Sequence, residues 1–246
     1  NTVEVYNFGL SGTGTDQQYL CYQQFAQDIE ANLVILGFNV ENIRRVVSRY
    51  RPFLDADNVI RYYPKPWYSL RNDGSLNLNG IPVSRHPIDF ESLKPSERAF
   101  VDRGGSYPRL RHLVHRWGPW TKGVLQRLTH YQPLSNYNSA QNPDWILMRS
   151  ILEHWIDMSK IPVVLFPIPI YQYVEQSADS ANVQARFQEI ATDLGCTLVD
   201  PLPELWRISQ AKRRNLRFEY DVHPTRSGHE ALAVVLSNSI SELSHM

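Results

Sequence analysis

Asn32-Leu33-Val34-Ile35-Leu36-Gly37-Phe38-Asn39-Val40-Glu41-Asn42 is the stretch from which the fold can be read. Leu33 to Leu36 is an unbroken apolar run, the pattern of a strand buried on both faces of a parallel sheet. Ligands of open α/β sheets sit beyond the carboxyl ends of such strands, and Asn39, Glu41 and Asn42 fall just there. An asparagine amide in that place can donate to a developing oxyanion, although asparagine also serves loops for purely local reasons.

The same rhythm runs through the C-terminal half. Trp145, Met148, Leu152 and Trp155 form a helical stripe, with Pro143 near its start and Asp144 in the first turn. Ile161-Pro162-Val163-Val164-Leu165-Phe166 reads as a second buried strand and Pro167 to Tyr171 as the loop leaving it. A helix follows around Val183 to Leu194 and stops at Gly195; Thr197-Leu198-Val199 is a short strand. Leu232, Leu236, Ile240 and Leu243 stripe a closing helix. Strands alternating with helices imply an α/β domain with a parallel sheet covered on both faces.

Towards the N-terminus, Val3-Glu4-Val5-Tyr6 alternates as a short strand does, and Tyr19, Tyr22, Ala26 and Ile29 are spaced as one face of a helix. Between them lies Asn7-Phe8-Gly9-Leu10-Ser11-Gly12-Thr13-Gly14-Thr15-Asp16-Gln17. Its three glycines let backbone N–H groups point into a cavity, as an oxyanion hole requires, or else make a tight turn with Asp16 as helix cap. A phosphate cradle does not fit, because no Gly-Lys-Ser/Thr follows.

Near the other end, Asp221-Val222-His223-Pro224-Thr225-Arg226-Ser227-Gly228-His229 puts an acid two residues before a histidine. A carboxylate so placed fixes the imidazole tautomer and stabilises the imidazolium when the ring takes a proton from a nucleophile. A loop hydrogen bond or a helix cap is the plainer alternative.

The three segments together resemble the SGNH (GDSL-type) hydrolase family. Asn7 to Gly12 is similar to its second block, Leu36 to Asn42 to its third, and Asp221-Val222-His223 with Gly228-His229 to its last. The resemblance implies a flavodoxin-like three-layer sandwich around a parallel sheet. It implies Gly12 and Asn42 as oxyanion-hole donors and Asp221 and His223 as catalytic relay. Glu41 and Ile43 replace the Gly and Asp that flank the family's asparagine, and the Asp-His spacing is one residue shorter than the commoner form. The family's serine block, Gly-Asp-Ser, occurs nowhere in the chain. Ser75 and Ser106 follow glycines in turn-rich sequence, and Ser11 lies within the glycine loop. None suits the nucleophile, which is therefore expected upstream, together with the first strand of the sheet. The chain as given is expected to be inactive.

The middle of the chain, residues 44 to 140, matches no motif and reads as an insertion or lid within a single domain of residues 1 to 246. Arg44, Arg45, Arg49 and Arg51, with Arg61 further on, suggest a solvated helix face with local ion pairs, or else a cationic wall. Val59 to Tyr63 and Trp67 to Leu70, followed by Asn72-Asp73-Gly74 and Ser75 to Leu78, read as a β-hairpin. His112 and His115 have helical metal-pair spacing but no carboxylate or cysteine beside them, so no metal is expected. Trp117, Trp120 and Tyr131 are candidates for stacking on a sugar ring or simply for packing.

Composition excludes more than it selects. Lysine plus arginine and aspartate plus glutamate number 25 each, so no global field favours nucleic acid. No apolar run approaches the roughly 20 residues of a membrane-spanning helix. Cys21 and Cys196 are expected as free thiols. The expected function is hydrolysis of an acyl or acetyl ester of a small molecule or carbohydrate, without cofactor. A sugar O-acyltransferase and a non-catalytic carbohydrate-binding relative are the alternatives.

Overall fold

A computed structural model describes residues 3–101, 131–219 and 221–243. Its longer elements, in chain order, are α1 (Thr15–Phe25), β1 (Val34–Asn39), β2 (Tyr50–Leu54), β3 (Ile60–Pro64), β4 (Trp67–Leu70) and β5 (Leu76–Asn79). After these come α2 (Pro143–Ser159), β6 (Val163–Ile168), α3 (Ala181–Leu194), β7 (Thr197–Leu198) and α4 (Arg226–Leu243). The chain divides into two compact units. Of the described residues, one holds 3–30, 42–101 and 141–158, and the other 31–41, 131–140, 159–219 and 221–243.

The second unit is the α/β part. Its sheet has the order β1-β6-β7, all parallel, with Val34 opposite Val163 and Asn39 opposite Ile168. Directly paired residues share a face, so Ile35 lies beside Val164 and Leu36 beside Leu165. On one face Val164, Phe166 and Val199 bury against Val235 of α4, with Leu232 and Leu236 packed alongside. On the other, Phe38 meets Phe187 of α3 at a ring distance of 5.4 Å, and Tyr137 stacks on the same Phe187 at 5.7 Å. Gly195, with φ +63°, ends α3 in the left-handed region that glycine tolerates. Among the described residues no strand pairs with the outer edge of β1, and Ile35 remains 41 % exposed.

The first unit carries α1, α2 and two antiparallel hairpins. Tyr19 and Tyr22 of α1 are buried and stack on Trp155 of α2 at 5.7 and 5.6 Å. The α2 stripe is as expected: Trp145, Met148, Leu152 and Trp155 are all buried, and Asn142 Oδ1 caps the helix by accepting from the Asp144 N–H at 2.9 Å. The hairpin β4–β5 forms where Asn72-Asp73-Gly74 placed it, with Gly74 at φ +82° and Asp73 Oδ1 accepting from the Ser75 N–H and hydroxyl at 3.0 and 2.7 Å.

Two expectations fail here. Val3 to Tyr6 is not a strand: the segment has no regular structure, and Val3 and Val5 are 81 % and 79 % exposed. Alternation alone cannot hold a strand, because its backbone groups need a partner ladder and none is present among the described residues. Residues 49 to 51 are likewise not a helix face. Tyr50–Leu54 is a strand, and β3 pairs with it, Tyr50 opposite Pro64, rather than with β4. The turn between them is held by Asp55 Oδ1, which accepts from the N–H groups of Asp57 and Val59 at 3.0 and 2.8 Å.

Candidate functional site

The glycine loop of the first unit turns at Leu10 to Thr13, where the Thr13 hydroxyl donates to the Leu10 carbonyl at 2.8 Å. Gly12 has φ +74°, a conformation that a side chain would strain. A Cβ there would also sit 3.3 Å from both terminal nitrogens of Arg51. The Gly12 N–H donates to no group among the described residues. Helix α1 is capped by Gly14, not by Asp16. Asp16 is buried within the first turn of the helix and forms an ion pair with Lys65, itself 4 % exposed, from the end of the β2–β3 hairpin. Burial pushes the Asp16 carboxyl above its usual range, while Lys65 pulls the other way.

Asn42 closes the short turn after β1 and precedes the helix Ile43–Val46. It is 4 % exposed, and its Oδ1 accepts from Arg45 Nη1 at 3.5 Å. The same Nη1 donates to the carbonyl of Thr13 at 3.4 Å, so one guanidinium bridges the glycine loop and the asparagine. The Asn42 amide nitrogen donates to nothing among the described residues. Asn39 is used differently: its Oδ1 accepts from the Glu41 N–H at 2.8 Å, which is turn chemistry.

The arginines are thus not one solvated helix face, although Arg61 is exposed and pairs locally with Asp55 at 2.9 Å. Arg45 holds the loop, and Arg49 lies between the rings of Trp67 and Phe100, 4.0 and 3.8 Å from their centres. Each is half-buried. At Arg49 the stacking on two aromatic planes replaces the carboxylate partner that the sequence led one to expect.

In the second unit, Asp221 Oδ1 lies 2.5 Å from His223 Nδ1 and also accepts the His223 N–H at 3.1 Å. The hydrogen bond from the imidazole holds the Asp221 carboxyl below its ordinary range. Nδ1 is engaged, so Nε2 is the ring nitrogen left to exchange a proton; the side chain is 74 % exposed. The loop is anchored on both sides. Phe218 N–H donates to the His223 carbonyl at 3.2 Å, and Arg217 donates to the carbonyls of Phe218 and Glu219, both at 3.1 Å. Arg217 is itself tied to Glu175 at 2.7 Å and stacks over Tyr171 at 4.4 Å. Thr225 starts α4, its N–H reaching the Leu216 carbonyl at 2.8 Å. Gly228 is required by close approach, since a Cβ there would fall 2.1 Å from that same carbonyl oxygen. Beside the loop, Tyr171, Arg217, Val222, Pro224 and Leu232 line a cavity of about 40 Å³.

Each unit therefore holds one pair of the four expected residues: Asp221 and His223 are in direct contact, and Arg45 links the Asn42 side chain to the carbonyl of Thr13, next to Gly12. Arg45 and Lys65 escaped the sequence reading. Arg45 stood in an arginine-rich run that masked it, and Lys65 is 49 residues from its partner with no local signal. Ser75 is committed to its own turn. Ser106, the pair His112 and His115, Trp117 and Trp120 lie outside the described residues; Tyr131 is exposed. Cys21 and Cys196 are free thiols. No cluster of metal-ligating side chains occurs among the described residues, and no helix of them is long and apolar enough to cross a membrane. No family model matches the sequence, and no curated protein or solved structure is found similar to it.

Proposed function

We propose that residues 1–246 carry the oxyanion donors and the Asp–His relay of a serine ester hydrolase of the SGNH type. Its fold would be the flavodoxin-like three-layer sandwich, and its nucleophilic serine would lie outside this stretch. The observation that carries the reading is the state of Asn42: it is buried, its oxygen accepts from Arg45, and its N–H₂ is uncommitted, as is the N–H of Gly12, the residue before the Thr13 carbonyl that accepts from the same guanidinium. Donors held in a fixed frame without a protein partner are what an oxyanion hole offers to developing negative charge. Among the described residues no strand pairs with the outer edge of β1, which suits a sheet that a serine-bearing strand would extend.

In this mechanism the serine Oγ attacks the acyl carbonyl while His223 Nε2 takes its proton and Asp221 stabilises the imidazolium. Gly12 N–H and Asn42 Nδ2–H hold the tetrahedral oxyanion. Collapse expels the alcohol, to which His223 returns the proton. Water, activated by the same imidazole, then releases the acid and regenerates the serine. The reading requires the two pairs of residues to converge on one ester.

The test is a full-length protein assayed on 4-nitrophenyl acetate. Hydrolysis should fall roughly 10⁴-fold or more in His223→Ala, because relay members act as a unit. A fluorophosphonate should label the full-length protein and leave residues 1–246 alone unlabelled. A full-length sequence without a serine after its first strand, or labelling of the short chain, defeats the proposal. Transfer of the acetyl group to an added sugar, in preference to water, would identify an acyltransferase built on the same residues.

A further inference from the structure

The second amide orientation of Asn42 is what a working oxyanion hole has to exclude. A side-chain amide can sit either way round, presenting N–H₂ or C=O to the site, and only the first stabilises negative charge. Arg45 decides between them. A guanidinium has five N–H donors and no acceptor, so it pairs with Oδ1 and repels the amide hydrogens. Nη1 of Arg45 lies 3.5 Å from Asn42 Oδ1 and 3.4 Å from the Thr13 carbonyl. The contact is not confined to the tip of the side chain: a Cβ on Gly14 would stand 3.0 Å from Arg45 Cβ and 3.2 Å from its backbone carbonyl carbon. The glycine loop thus rests directly on the Arg45 residue. Arg45 makes no salt bridge among the described residues, so its charge is not spent on a carboxylate.

We infer that Arg45 is the positioning residue of the oxyanion hole, orienting the Asn42 amide with N–H₂ outward while fixing the Gly12–Gly14 loop beside it. The inference rests on the ester-hydrolase reading. Arg45 touches neither substrate nor nucleophile in this role and acts only through Asn42 and Thr13.

A double-mutant cycle in the full-length protein, read as kcat and KM on 4-nitrophenyl acetate, tests it. Arg45→Gln should lower kcat roughly tenfold to a hundredfold with KM within about twofold, the signature of an interaction made in the transition state. In an Asn42→Ala background the same change should cost less than about twofold more, because the group it orients is gone. Arg45→Lys, which keeps the charge but not the fork, should recover part of the loss. A merely structural role would instead multiply with Asn42→Ala, and that result overturns the inference. So does a kcat for Arg45→Gln within twofold of the parent while His223→Ala remains inactive; the hydrolase reading then stands and the role of Arg45 falls. Hydrolysis unaffected by His223→Ala, or none at all in the parent, overturns both. If Arg45→Gln does not fold, the cycle is run with Arg45→Lys, and an absence of coupling to Asn42→Ala overturns the inference equally.

Discussion

The glycine loop with Asn42 and the loop with His223 reach order by opposite means. Around Gly12 the contacts are long in sequence and at least partly buried: Arg45 reaches back 32 residues to Thr13, and Lys65 reaches 49 residues to the buried Asp16. At the Asp221–His223 pair itself the contact is short and solvated, with the acid two residues from the base and both side chains more than half exposed; only its anchor, Arg217 to Glu175, is long in sequence. The difference matches what each group would have to do. An oxyanion donor works by being preorganised in a water-poor setting, so its frame must not move. A general base needs only one fixed tautomer and an open face, and a neighbouring carboxylate supplies both.

This contrast can be broken by mutation. The largest stability effect is expected at Lys65→Met, which strands Asp16 in the interior; removing one partner of a buried pair costs about 3–5 kcal/mol, measurable by urea unfolding. The pair replaced together, Asp16→Leu with Lys65→Met, should be far milder. Gly228→Ala should come next: its Cβ would meet a backbone oxygen that cannot swing away, and we expect a loss of about 1–3 kcal/mol by the same measurement. Asp221→Asn should be the smallest, lowering the melting temperature only slightly at neutral pH. Were Asp221→Asn to destabilise as strongly as Lys65→Met, the two regions would not differ as described.

The pH dependence sharpens the same point, because the two carboxylates are shifted in opposite directions. Asp16 is raised above its ordinary value near 3.8, so the folded chain holds that proton longer than the unfolded one. Its contribution to stability therefore falls as the pH rises from the ordinary value through the folded one. Asp221 is lowered, so its contribution is complete above about 3.8 and is lost as the pH falls through the folded value. Difference curves of unfolding free energy, parent minus Asp16→Asn and parent minus Asp221→Asn, should slope with opposite sign and in separate windows, the first above pH 3.8 and the second below it. Slopes of one sign would refute the assignment of causes.

Much of both units was legible because the signals are local and redundant. β1 and β6 are apolar runs, α2 and α4 are periodic stripes, and Asn72-Asp73-Gly74 specifies its own turn. So was the Asp221–His223 contact, which spans two residues. Val3 to Tyr6 misled because alternation gives a strand only when a partner exists. The arginines misled because a guanidinium stacked between Trp67 and Phe100 has the same sequence signature as one in water. Lys65 was invisible for a related reason: nothing near it in sequence reveals that its charge is buried. Asp55 to Asn58 held a readable turn signal for β2–β3 that the run of arginines obscured.

The outer edge of β1, to which no strand of the described residues is hydrogen-bonded, has a colloidal consequence. Leu33 to Phe38 contains no charge and no proline, and natural edges ordinarily carry one or the other to discourage templated growth. With no strand of the described residues hydrogen-bonded to that edge, residues 1–246 on their own should self-associate as concentration rises, one chain's edge extending the next. A lysine in place of the half-exposed Ile35 is the economical gatekeeper, and light scattering of Ile35→Lys against the parent should show slower growth at equal concentration.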